Sequence, residues 1–235
     1  MVTKVRFNYF ILLFFTLTFS TFLYDTTMSA TELSNGDEIN KMKLPTLEIN
    51  GNYISPSGGI DSTEAKKLII IELKKDGVKG DINSVINLQE ITTKESWENV
   101  GVQLYKVKVD YAWINGIAVI KNKEVLTILS GMPTEAVFLS DLDNDSIYEI
   151  YINILLGSGI ISEEILGFNV ATNKSYRLSM RKEKDLHLYI ENGMLMTEIR
   201  SYKNKANSTN IGKVILKNKD NKSELEIEIR RNIDK

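Results

Sequence analysis

Residues Ala136–Leu156 read "AVFLSDLDNDSIYEIYINILL". Two apolar runs rich in β-branched and aromatic residues flank an acidic centre, the composition of two short strands joined by a turn. The centre is "DLDNDSIYE", Asp141 to Glu149, with aspartates at alternate positions 141, 143 and 145 and a glutamate four residues later. Alternate carboxylates on a tight turn can present several oxygens to one hard cation, which wants six or more. Asp141, Asp143 and Asp145 are spaced for that role, Ile147 would add its backbone carbonyl while its side chain enters the core, and Glu149 would close the ring. The loop is not an EF-hand, because its twelfth position is Ile152 and its flanks are strands. Two other readings stay open: a metal-free turn, since Asp and Asn side chains bond nearby backbone groups, and a substrate site.

Outward from this loop, period-two patterning runs to the C-terminus. "VQLYKVKV" alternates from Val102, and "EVLTIL", "EILGFNV", "SYRLSM", "GKVILKN" and "SELEIEI" follow with short turns such as "KNK" and "ATNK" between them. Three Asn-Gly pairs, at 50–51, 115–116 and 192–193, read as type I′ hairpin turns, a recurrence of turn chemistry and not a sequence repeat. Upstream, "IDSTEAKKLIIIELKKDG" carries a helix over about 61–76: Asp61 caps it, Glu64 is placed for a capping box, and Gly77 ends it. The expected fold is mainly β, an antiparallel meander or sandwich or a set of partial propeller-like sheets, with one N-terminal helix. The expected organisation is one domain over 49–235, with strands from about 102, preceded by a polar linker over 31–48.

The first 30 residues differ in kind. Lys4 and Arg6 precede an uncharged apolar run to Tyr24, then "DTTMSA". This is the pattern of an export signal cut after Ala30, and its rival is an uncleaved membrane anchor. Both send the remainder across the membrane. The expected location is therefore outside the cell or at its surface, with membrane contact only through this segment if it is uncleaved.

Composition removes several function classes. The chain of 235 residues has no cysteine and a single histidine, His187, so thiolate zinc sites, cysteine nucleophiles and multi-histidine metal sites within one chain are excluded. A formal net charge of -2 gives no basic excess for nucleic acid. "GSGIISEE" at 157–164 lacks the lysine and the following helix of a phosphate loop and reads as a bend between strands. His187 reads as a surface histidine, with its flanking leucines on the opposite side of the strand. Glu163 and Glu164 would pair with Asp141 or Glu149 as glycosidase carboxylates only if opposite ends of a strand met. Trp97, Tyr111, Trp113, Tyr148 and Tyr151 offer either a sugar- or peptide-binding surface or cross-strand packing. The lysine-rich turns at 121, 203 and 218 read as solvated loop tips.

"DLDNDSIYEIYI" resembles the D-x-D-x-D-G-x-x-D/E strand loops of FG-GAP and VCBS-type repeats. With its continuation "NILLGSGIISEEILGFN" it also resembles a bacterial domain found alone or appended to penicillin-sensing membrane receptors. The resemblance implies a calcium-binding β loop and a domain without enzyme chemistry. Those families carry glycine where Ser146 stands, at a position of positive φ that costs serine roughly 1 kcal/mol. The function expected from all this is an exported, non-catalytic binding, sensing or accessory domain with calcium on Asp141, Asp143, Asp145, Ile147 and Glu149. Its partner would be a protein or a cell-wall ligand. The alternative is a secreted hydrolase using paired carboxylates.

Overall fold

The computed structural model describes residues 44–110, 114–132, 134–157, 161–180, 184–201, 210–219 and 222–230. The expected export segment, the linker as far as residue 43, Tyr111, Trp113, Ser158–Gly159 and the lysine turn at 203 lie outside them. Among the described residues no helix is long and apolar enough to cross a membrane.

The protein is mainly β, with thirteen strands in three antiparallel sheets among the described residues. The first sheet is a meander of β2 (Ile86–Glu90), β3 (Gln103–Val109), β4 (Ile114–Lys121) and β5 (Glu124–Gly131). The second joins β6 (Thr134–Ser140), β7 (Glu149–Leu156), β8 (Ser162–Asn169) and β9 (Lys174–Leu178), with the two-residue β1 (Leu47–Glu48) added on the outer side of β6. The third is β10 (Lys184–Glu191), β11 (Met194–Ser201), β12 (Asn210–Lys219) and β13 (Lys222–Ile229). Each sheet takes four consecutive strands in up-and-down order, the unit from which propeller blades are made. The step between sheets also recurs: β4 lies against β6 and β8 against β10, the third strand of one sheet meeting the first strand of the next.

Three apolar layers follow from the alternation of side chains along these strands. In β3 and β4, Leu104, Ile117 and Val119 face the second sheet, where they meet Val137, Leu139, Ile150, Ile152 and Phe168. The alternate residues Tyr105, Val107, Ala118 and Ile120 face the helix α1 (Ser62–Lys75) and its buried Ala65, Ile69 and Leu73. On its other side the second sheet packs Phe138, Tyr151 and Ile165 against Leu186, Leu188, Leu195 and Ile199 of the third. The middle sheet is thus buried on both faces, which is why "EIYINI" is continuously apolar apart from Glu149 and Asn153.

Helix α1 starts where Asp61 accepts hydrogen bonds from the Thr63 and Glu64 amides, both at 2.8 Å, and ends before Gly77 at φ 87°. The Glu64 carboxylate faces Lys123 at 3.7 Å. Two shorter helical pieces follow, α2 (Ile82–Val85) and a π-helical turn at Ser96–Val100.

Two of the three Asn-Gly readings are corrected. Asn50-Gly51 turns no hairpin, because β1 pairs only with β6 and the chain beyond it is irregular. Asn115-Gly116 lies inside β4, paired with Lys108 and Val107 on one side and with Gly131 and Ser130 on the other. Gly116 is needed for closeness instead of for turning, since a Cβ there would sit 2.4 Å from the Leu129 carbonyl oxygen. Asn192-Gly193 is a two-residue hairpin with φ 51° and 70°, and Asn122-Lys123 makes the same turn between β4 and β5 at 51° and 65°.

Strand β6 is irregular near its start. Thr134 pairs with Ile154 and Ala136 with Asn153, so Glu135 is an extra residue in a bulge of β6. The bulge exchanges the faces of its two residues. Thr134 donates its hydroxyl to the Asn115 carbonyl in the first sheet, at 2.9 Å, and Glu135 turns toward the third.

Candidate metal centre

The connection between β6 and β7 is the acidic loop. Its shape comes from aspartates bonding the backbone just ahead of them. Asp141 accepts from the amides of Asp145 (3.0 Å) and Ser146 (3.2 Å), one at each oxygen. Asp143 accepts from Asp145 at 3.2 Å, and Asp145 accepts from Ile147 at 2.7 Å. These bonds wind the chain through two left-handed residues, Asn144 at φ 58° and Ser146 at φ 71°. Ser146 therefore holds a left-handed conformation that glycine adopts without steric cost.

Glu149 closes the loop from below. It is only 1% exposed, and its Oε2 accepts from the Leu142 amide at 2.8 Å and the Tyr151 hydroxyl at 3.3 Å. Its Oε1 accepts from the Asn169 carboxamide at 3.2 Å, which also donates to Asp143 at 3.2 Å. Asn169 is oriented in turn by the Thr172 amide, which donates to its Oδ1 at 2.8 Å. Tyr151 reaches Glu149 because its ring lies over Gly167, where a Cβ would come within 2.5 Å of the ring.

Asp141, Asp143, Asp145 and Glu149 each offer one carboxylate oxygen, and the four oxygens lie within 4.8 Å of one another. Opposite ligands of a calcium ion stand about 4.6–5.2 Å apart, twice the usual metal–oxygen length, so the set fits inside one coordination sphere. All four ligand atoms are oxygens, the donor type of hard cations. Asp141 is 0% exposed, and no ion pair among the described residues reaches any of the four acids. The charge is felt: burial, with Asp143 and Asp141 adding to it, pushes the Glu149 carboxyl up to about 8. Burial and the neighbouring Asp145 also raise Asp143. The loop is an acidic cluster able to hold a metal ion.

The fifth expected ligand, Ile147, is 37% exposed, so its side chain does not enter the core as the sequence suggested. Glu163 pairs with Leu155 at the far end of β7, while Glu149 begins that strand. Six residues of strand, roughly 20 Å, separate the two acids. Tyr148 and Tyr151 are buried and pack within the sheets, leaving Trp97, half-buried, among the described aromatics proposed for ligand binding.

A second group capable of holding a metal was missed. Glu135, Glu163 and His187 bring one ligand atom each to within 4.8 Å of the others. They come from two sheets and from a bulge, and no sequence spacing signals that meeting. Leu186 and Leu188, on either side of His187, enter the core.

No protein-family model, curated protein or solved structure matches the chain, so both groups rest on their own geometry.

Proposed function

We propose that the chain is an exported, non-catalytic binding, sensing or accessory domain whose β6–β7 loop takes one calcium ion. The observation that carries this reading is the convergence of four carboxylates, two of them fully buried, with no cationic side chain among the described residues to balance them. Leaving such charges unpaired in a protein interior is unfavourable, and a divalent cation removes the repulsion. The likeness of "DLDNDSIYE" to FG-GAP and VCBS-type loops supports calcium over other hard cations.

In this reading Asp141, Asp143, Asp145 and Glu149 hold the ion, with the Ile147 carbonyl as a further oxygen. The ion supplies positive charge at the junction of two strands of the middle sheet. Asn169 and Tyr151 position Glu149. The role is structural: the loop ties the start of β7 to the end of β8, and the sheets on either side present the binding surface. Export rests on the N-terminal pattern of Lys4, Arg6 and the apolar run after them.

Limited proteolysis tests the loop's part. Calcium is expected to slow cleavage within 141–149 at least tenfold over chelator, and Asp143→Asn to remove that protection. Equal cleavage with and without calcium would count against the proposal.

A further inference from the structure

We propose that Glu135, Glu163 and His187 form a second metal site, one suited to a first-row divalent transition ion such as zinc. The donor set differs in kind from the loop's, because an imidazole nitrogen joins two carboxylate oxygens. That combination suits zinc and its neighbours better than calcium.

The geometry is close to what such an ion needs. His187 Nδ1 lies 3.5 Å from Glu163 Oε2 and 3.9 Å from Glu135 Oε2. Adjacent ligands of a tetrahedral zinc stand about 3.4 Å apart, from bond lengths near 2.1 Å, close to the His187–Glu163 separation, and all three ligand atoms lie within 4.8 Å of one another. Glu163 Oε2 and His187 Nδ1 are both buried atoms without a hydrogen-bond partner. The two atoms face each other at 3.5 Å, within ion-pair reach, and an ion or water between them would supply the hydrogen-bonding or coordinating partner each one lacks. The side chains of His187 and Glu135 are 34% and 35% exposed, so the fourth position opens to solvent, where water would complete the sphere.

Each ligand is aimed by a separate device. The β6 bulge turns Glu135 toward the third sheet. The Glu163 amide donates to the buried Asp185 carboxylate at 3.0 Å. His187 is fixed from both sides by Asn153, which accepts from the Leu188 amide at 3.1 Å and donates to the Leu186 carbonyl at 2.8 Å. Supporting contacts of this kind orient ligands in established metal sites. The nearby Arg200 is engaged by Glu198, at 2.6 Å and 2.8 Å, and burial with Glu135 alongside raises the Glu163 carboxyl. An ion here would join the middle sheet to the third.

The test is a titration of the full chain, stripped by chelator, with cobalt(II) followed by visible absorption and with zinc followed by calorimetry. One zinc per chain at micromolar affinity is expected, with cobalt absorption bands that zinc abolishes and calcium does not. Glu163→Gln and His187→Ala are each expected to weaken zinc binding at least tenfold, while Asp143→Asn leaves it unchanged. Should His187→Ala fail to fold, His187→Gln replaces it. Absence of zinc binding at micromolar concentration, binding that survives the loss of His187, or binding lost only with Asp143 would each overturn the proposal.

Discussion

Replacing Glu149 by Gln tests whether the acidic loop is short of positive charge. The carboxyl is raised from 4.5 to about 8 by burial and by Asp143 and Asp141. In the metal-free protein the fold therefore prefers the protonated acid. Below pH 4.5 both folded and unfolded chains hold the proton, and this contribution to stability is fully present. As pH rises, the unfolded chain releases its proton first, so stability falls until about pH 8 and then levels. At about 1.4 kcal/mol per unit the ceiling is roughly 5 kcal/mol, and relaxation with partial solvation brings the expected loss to about 2–3 kcal/mol. Urea unfolding in chelator between pH 5 and 9 measures it. Relative to the wild type, Glu149→Gln should show a profile flatter by that amount, and calcium at pH 8 should restore stability to the wild type alone. Parallel profiles for the two proteins would refute the reasoning.

Other outcomes follow from the same geometry. Asn153→Ala removes three buried hydrogen bonds, to Glu164, Leu186 and Leu188, worth about 1 kcal/mol each. Thermal unfolding should fall by about 6–12 °C for a domain of this size. Ser146→Gly relieves a left-handed serine at φ 71° and should raise stability by no more than about 0.5 kcal/mol after the flexibility of glycine is counted, read in the same melts. Gly167→Ala places a methyl group against the Tyr151 ring. It should destabilise by about 1–3 kcal/mol and blunt the response to calcium, because Tyr151 positions Glu149.

The acidic loop was legible because its chemistry is local. Alternate aspartates bond the amides two to five residues ahead, and apolar strands bracket them, so spacing alone locates the turn. Period two gave the β class for the same reason. The order of the sheets was not legible, since alternation tells which residues share a face but not which sheet that face meets. Asn115-Gly116 misled because glycine serves two purposes: in β4 it lets Leu129 approach, whereas at Gly193 it turns the chain. The Glu135–Glu163–His187 group lay beyond sequence reasoning altogether. Strict alternation puts Glu135 on the face of Val137 and Leu139, and only the bulge moves it to the face where His187 stands.

Calorimetric titration of calcium into the chelator-stripped chain tests the central claim most directly. One site per chain is expected, weakened at least tenfold by Asp143→Asn, with affinity rising as pH passes through about 8 and Glu149 gives up its proton. No heat of binding at millimolar calcium, or binding indifferent to Asp143, would contradict a calcium loop between β6 and β7.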